Sequence, residues 1–433
     1  MPRIVILGAG SGFGSRLSID ILSRAPLQES EIALCDIEEE RLDAVSRYIR
    51  RVIDHYRLPA KVTSSTQRER LLPGADFVIA SVSVGGYAYA GQPYKSEIEI
   101  PQKYGIFQSV GDTIGPGGIF RFLRTGPVQL QFCRDIEKYC PDAFLINYTN
   151  PMCMLTWLHS VGSRVRNVGL CHSVQGTRHE LARYLNVPHE ELDCLVAGIN
   201  HQAWFLKLER KGRSLYPALR EAMADPEIYA KDRIRFEIFR HFGYFVTESS
   251  PHNSEYLPYF RRTNELMERF GFKPRVVSDA PARVREWMKQ TGGDGMEAAV
   301  PELKRSHEYA SGIIEAMTTN QPFCFNGNVM NANLVSNLPQ GCCVEVPCVA
   351  DRTGLHPCHV GALPPQCAAL NRTNVAVQEL AVKAVLERDR EAAFHAVTLD
   401  PLTAACCSLD QMREMFEELW AAEGDLLGWF ERT

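Results

Sequence analysis

The chain has no block of Lys or Arg. Its 47 basic residues are scattered among 52 acidic ones, and the formal net charge is −5. That excludes nucleic acid or an anionic membrane as the main partner, because both need a concentrated positive patch. Long hydrophobic runs are also missing. The apolar stretch in "MPRIVILGAG" is too short to span a bilayer, and it runs into glycines without the cleavage region of an export signal. A cytoplasmic protein with no membrane contact is the expectation. No CxxC pair and no HExxH helix occurs, which disfavours a structural zinc site. The fourteen cysteines follow no regular framework. They are read as reduced thiols; Cys342-Cys343 and Cys406-Cys407 are adjacent, and neighbouring cysteines rarely bridge, so these two pairs are read as packing residues. Repeats, long linkers and low-complexity segments are absent too.

What is present is a large apolar complement. Of 433 residues 45% are hydrophobic, enough for a sizeable core and for two domains. "RIVILG" (3–8), "EIALCD" (31–36), "ADFVIASVSV" (75–84), "AFLINYTN" (143–150) and "NVGLCH" (167–172) read as strands. Their nearly continuous apolar character fits a parallel sheet covered on both faces. Helical patterns at 39–57 and 125–140 lie between them. The alternation predicts a doubly wound, Rossmann-like α/β domain over residues 1–195. From 196 to 433 the pattern changes to antiparallel strands at 196–210 and long helices at 374–387 and 409–430. A mixed α+β domain is expected there, serving substrate, metal and assembly.

Several motifs fall at strand ends. "VILGAGSGFG" (5–14) follows the first strand. Gly8 permits a tight turn and Gly10 lets the backbone approach a pyrophosphate, so Gly8, Gly10 and Ser11 are candidate cofactor contacts. The third glycine comes one residue late, at Gly14 behind Phe13. Asp36 closes the second strand, where an acid can bond a ribose 2′-OH, which favours NAD over NADP. "VGDTIGPGGIFRFLRT" (110–125) combines a glycine stretch with Asp112, Arg121 and Arg124, and reads as a loop over the active site. In "NYTNPMCML" (147–155), Asn150 is placed to cap a helix and bind a ligand at once. "GLCHSVQGT" (169–177) and "GINHQAW" (198–204) supply Cys171 and His201. A lone thiol and a lone imidazole are more often core residues. With open coordination positions, they suit a catalytic divalent metal better than a closed structural site. "FVTESSPHNSEYLPYF" (245–260) reads on composition as a polar loop with packed aromatics, and "SNLPQGCCVEVP" (336–347) as a turn leading into a strand.

In their order along the chain, "DTIGPGGIFRFLRT", "NYTNPM", "VGLCHSVQGT", "AGINHQAWFLKLER", "GYFVTESS", "EYLPYF", "NLPQGCCVEV" and "TAACCSLDQ" resemble the family 4 glycoside hydrolases over nearly the whole length. Within that family the chain is similar to the bacterial melibiase-type α-galactosidases. The first glycine loop departs from the bulkier residues usual there. Cys171-His172-Ser173-Val174 is the form seen in enzymes acting on unphosphorylated α-galactosides. Phospho-glycosidase subgroups carry Asp or Asn after the cysteine.

The resemblance implies NAD and a divalent metal, Mn²⁺ first, and a route that departs from the usual two-carboxylate scheme. Hydride leaves C3 of the sugar, a base removes the C2 proton, C1 expels the aglycone, water adds and the hydride returns. It implies that Cys171 and His201 hold the metal, that Tyr256 is the base with Tyr259 as fallback, and that Asp112 accepts or holds the phenol proton. His172 would protonate the leaving oxygen, with an ordinary pKa near 6.5. Asn150 and Arg121 would contact the sugar, and the assembly would be a homodimer or homotetramer. Another α-glycoside specificity, glucoside or uronide, stays open, as does a 2-hydroxy-acid dehydrogenase of the same cofactor fold.

Overall fold

The structure is a computed structural model, and it describes residues 1–278, 300 and 302–431. Six parallel strands form the first half of one sheet. They are β1 (Arg3–Leu7), β2 (Glu31–Cys35), β3 (Lys61–Ser65), β4 (Phe77–Ala80), β5 (Phe144–Asn147) and β6 (Arg166–Gly169). Their order is β3-β2-β1-β4-β5-β6, so the strand order reverses between β1 and β4. This is the doubly wound arrangement expected from the apolar runs. The reason is visible in β1: Ile4 and Ile6 enter the core on one face, while Val5 and Leu7 enter a second core on the other. A strand buried on both faces shows no alternation in sequence.

The sheet does not stop at β6. It continues through β10 (Phe323–Met330) and β11 (Cys343–Asp351) to β7 (Asp193–Ile199), β8 (Gln202–Arg210) and β9 (Arg213–Ser214), with β12 (Gly354–Pro357) on β11. From β6 onward every pairing is antiparallel. The expected antiparallel hairpin is therefore β7–β8, and residue 195 lies inside β7. The two halves share one large core, which runs from Ile4 to Leu427. Among the described residues no helix is long and apolar enough to cross a membrane. All fourteen cysteines are free thiols.

Several expected boundaries shift. The strand read at 75–84 is confined to Phe77–Ala80, because the chain beyond turns out of the sheet. The glycine stretch at 110–125 is mostly helix. After α1 (Gly12–Leu22), α2 (Glu39–Tyr56) and α3 (Tyr94–Lys103), α4 spans Gly115–Tyr139 and starts at the second glycine of that stretch. Its glycines serve close packing instead of looseness: a Cβ on Gly117 would meet the Glu97 carbonyl oxygen at 2.7 Å, and one on Gly118 would meet Thr113 backbone at 2.7 Å. The loop proper ends at Ile114. The helix read at 374–387 is the end of a longer one, Pro365–Glu387.

The turn after β1 has the geometry expected of a dinucleotide loop. Gly8 has φ +83°, and a Cβ there would lie 2.0 Å from the Ser81 carbonyl oxygen. Ser11 is the N-cap of α1 and accepts from the Gly14 N–H at 3.2 Å. The displaced third glycine also has a physical reason. A Cβ on Gly14 would sit 2.5 Å from the Ala9 carbonyl oxygen, so Gly14 is what lets α1 close against the turn.

Candidate active site

Parallel sheets bind ligands beyond the carboxyl ends of their strands. At that edge β5 ends in Asn147, whose side chain braces Thr149 in both directions, at 3.0 and 3.1 Å. Thr149 accepts from the Val82 N–H at 3.0 Å, which ties the exits of β4 and β5 together. Asn150 follows. It is not the helix cap: α5 (Met152–Gly162) begins after Pro151, and the Asn150 amide instead donates to Asp112 Oδ2 at 2.8 Å.

β6 ends two residues before Cys171, and α6 (Ser173–Tyr184) begins two residues after it. The β7–β8 turn brings in His201, whose Nε2 lies 3.2 Å from Cys171 Sγ. Thus the two expected metal ligands, thirty residues apart, meet. Burial alone would raise the Cys171 thiol, yet the charge and hydrogen bond of His201 bring it down to about 6.

A third donor is present that the sequence reading passed over. Glu248 Oε2 lies 3.5 Å from His201 Nε2, and the donor atoms of Cys171, His201 and Glu248 all fall within 4.8 Å of one another. His252, on the helical turn Ser250–Asn253, faces Glu248 Oε1 through Nδ1 at 3.6 Å and Asp112 Oδ1 through Nε2 at 3.2 Å. Burial opposes the charge on His252, but hydrogen bonds to Asp112 and Glu248 outweigh it and raise its pKa well above the ordinary value. Burial would likewise raise Asp112. The bond and charge of His252, helped by Arg121, hold it far below the carboxylate range.

Tyr256 is 1% exposed and donates to Thr113 Oγ1 at 2.8 Å, while Thr113 also lies 2.9 Å from His252 Nε2. The phenol therefore reaches Asp112 through Thr113 and His252, not by the direct bond the sequence implied. Burial pushes its pKa well above the ordinary tyrosine value. Tyr259 is 43% exposed and stacks on Phe242, away from this cluster.

Arg121 lies behind the cluster. It is buried, donates to the Ala88 carbonyl at 2.9 Å and covers the Tyr89 ring, while the Tyr89 hydroxyl donates to Asp112 at 2.9 Å. Arg124 is turned away altogether, into a buried pair with Glu97 at 2.7 Å. His172 stands at the rim with its side chain 63% exposed, and its Nδ1 lies 3.2 Å from Glu308. The hydrogen bond it donates to the Glu308 carboxylate raises its pKa to about 9, above the unperturbed value expected from sequence. Asp36 is half-buried at the end of β2 and accepts from the Gly10 N–H at 2.8 Å and the Glu38 N–H at 3.0 Å.

Glu255 explains how the loop before α4 is held. Its carboxylate accepts from the N–H groups of Ser109, of Val110 at 2.7 Å and of Gly111 at 3.0 Å. One carboxylate thus fixes three successive amides just ahead of Asp112. Glu248, His252, Glu255 and Glu308 carried no signal of their own in the sequence.

Residues 3–187 match the model of the family 4 glycosyl hydrolases, and residues 196–403 match that of their C-terminal domain. An α-galactosidase of Bacillus subtilis (strain 168) is 40% identical over 435 residues, 99% of each chain. An α-galactosidase of Rhizobium meliloti (strain 1021) is 35% identical over 439 residues, 98% of this chain and 89% of that one. Among solved structures, a 6-phospho-β-glucosidase from Thermotoga maritima, determined with manganese, NAD⁺ and glucose-6-phosphate, superposes with a TM-score of 0.79. It is 22% identical, over 98% of both chains.

Proposed function

The chain belongs to the family 4 glycosyl hydrolases, and from that membership we propose that it hydrolyses unphosphorylated α-galactosides of the melibiose kind, with NAD⁺ and a divalent ion, Mn²⁺ first, resident in the cleft. The observation that carries this reading is the convergence of Cys171, His201, Tyr256 and Asp112 near the carboxyl ends of the parallel strands: Cys171 meets His201 at 3.2 Å, the rings of His201 and Tyr256 are 6.2 Å apart, and Asp112 joins through Asn150 and His252. The α-galactosidase relatives and the Cys171-His172-Ser173-Val174 stretch support the sugar assignment.

The residues present fit both groups. For the dinucleotide, the closed approach of Gly8 to Ser81 leaves no room for a side chain. The first-turn N–H groups of α1 have no partners within the helix and are a natural seat for a pyrophosphate. Asp36 keeps free lone pairs for ribose hydroxyls. For the ion, the Cys171 thiolate and the His201 imidazole lie 3.2 Å apart, a donor pair that suits a divalent cation with open positions. When bound, NAD⁺ supplies the acceptor and later the donor of the C3 hydride, and the metal supplies a Lewis acid that acidifies the C2 proton.

The chain's own groups do the rest. Asn150, held by Asp112, presents its amide to sugar hydroxyls. Arg121 supports that sub-site from behind with charge beside Asp112. Tyr256 would take the C2 proton at its phenolic oxygen as the phenolate, a form that a bound cation would favour against the burial that raises its pKa. His172, kept protonated at neutral pH by Glu308 and open to solvent, delivers a proton to the departing oxygen. In this reading residues 1–195 carry the cofactor, and 196–433 complete the metal site and cover the sugar.

The test is a substrate screen with NAD⁺, Mn²⁺ and a thiol reductant. The expected result is galactose released from α-galactosides with no net NADH. An oxidised product with stoichiometric NADH would identify a dehydrogenase of the same cofactor fold instead.

A further inference from the structure

We propose that Glu248 is a third protein ligand of the divalent ion, oriented by His252, so that the ion stays seated on the protein when no sugar is present. The proposal rests on the metal-dependent reading above. It goes beyond that reading, which needs only Cys171 and His201.

Three observations carry it. The first is spacing. Ligand atoms that share one ion at 2.0–2.3 Å lie roughly 3–4.5 Å from each other. The Cys171–His201 and His201–Glu248 separations are 3.2 and 3.5 Å, and all three donors fall within 4.8 Å. The second is backbone. His201 has φ +63° and Glu248 has φ +74°, the left-handed region that residues with side chains avoid. Two independent turns adopt it, and both aim a donor at the same point. Strain of this kind persists where the surroundings over-determine it, as at ligand clamps. The third is orientation. The second oxygen of Glu248 is faced by His252 Nδ1 at 3.6 Å, and His252 is fixed from behind by Asp112 at 3.2 Å and Thr113 at 2.9 Å. Outer partners of this type set the aim of a coordinating carboxylate and of the ion it holds.

Chemistry gives the arrangement a purpose. A thiolate and an imidazole alone favour soft or borderline ions such as zinc or copper. A carboxylate oxygen is a hard donor and moves the set toward manganese. With three protein ligands, coordination positions remain for two sugar oxygens, and the ion need not arrive with the substrate.

The experiment is Mn²⁺ binding to the NAD-loaded, sugar-free protein under reducing conditions, followed by electron paramagnetic resonance of the free ion. The wild type should take up one ion per chain. Cys171→Ser and Glu248→Gln should each weaken binding by about tenfold or more, with NAD binding and thermal unfolding of Glu248→Gln preserved. If Glu248→Gln does not fold, Glu248→Asp, with a carboxylate one methylene short, should show the same loss. Wild-type affinity in the folded Glu248 variants, beside a loss in Cys171→Ser, overturns the proposal and leaves the metal reading intact. A wild-type chain that binds Mn²⁺ only once an α-galactoside is added overturns it as well. No binding in either condition overturns both.

Discussion

His172 shows how much a single neighbour decides. An imidazole in water is mostly neutral at pH 7.5, which makes it a weak proton donor. Here Glu308 lies 3.2 Å from Nδ1, and the pair keeps the ring protonated up to about pH 9 while its outer edge stays open. A group so placed matters most when the leaving oxygen is basic. Replacing it, His172→Ala, is expected to slow hydrolysis of a disaccharide α-galactoside by roughly 10²-fold or more. A 4-nitrophenyl α-galactoside, whose leaving group departs without a proton, should lose less than about tenfold. Equal losses on both substrates would remove the acid role. Glu308 itself could not be found from sequence. It follows His307 in a stretch without periodicity, and nothing in one dimension tells that it meets the end of β6.

At the scale of elements, the glycine stretch at 110–125 is the clearest lesson. Glycines beside charged residues suggest a mobile loop, but the chain folds them into the first turns of α4, where Gly117 and Gly118 press against Glu97 and Thr113. Arg124, on the same helix, joins Glu97 and the end of the helix Leu409–Glu423 in a buried cluster, with Glu423 at 3.7 Å. Two acids share one guanidinium there. Burial and the Glu97 charge push Glu423 up from 4.5 to about 8, while Arg124 opposes them. Between those values the folded chain keeps a proton that the unfolded chain has lost. Stability therefore falls as pH rises from about 4.5 toward 8 and levels off above it. Glu423→Gln, neutral throughout, should match the wild type in melting temperature at pH 5 and exceed it at pH 8.5. A parallel decline in both proteins would contradict this account of the cluster.

For the whole molecule, one sheet and one core join the two halves, and the site lies where they meet. The parallel half was legible because strands covered on both faces write themselves as apolar runs, as in Ile4–Leu7 and Phe77–Ala80. β3, "KVTSS", was not legible, since an edge strand is half-exposed and polar. Nor was β10, "FCFNGNVM", where Asn328 and Gly327 occupy positions that a hydrophobic pattern would miss. The same contrast holds in the site. Cys171, His201, Asp112 and Asn150 stood at strand ends or in a glycine-rich motif and could be singled out, whereas Tyr256 was reached only through the family resemblance. Glu248 and His252 sit in a polar loop and join the others only through a left-handed turn.

The central claim is that bond cleavage proceeds through loss of the C2 proton in a redox-neutral cycle, with Tyr256 as its base. Hydrolysis of an α-galactoside in D₂O, with product analysis by NMR, tests it most directly. The wild type should release galactose carrying deuterium at C2 and build up no NADH, and Tyr256→Phe should slow that exchange while Tyr259→Phe leaves it intact. Galactose released at full rate with hydrogen retained at C2 would contradict the account.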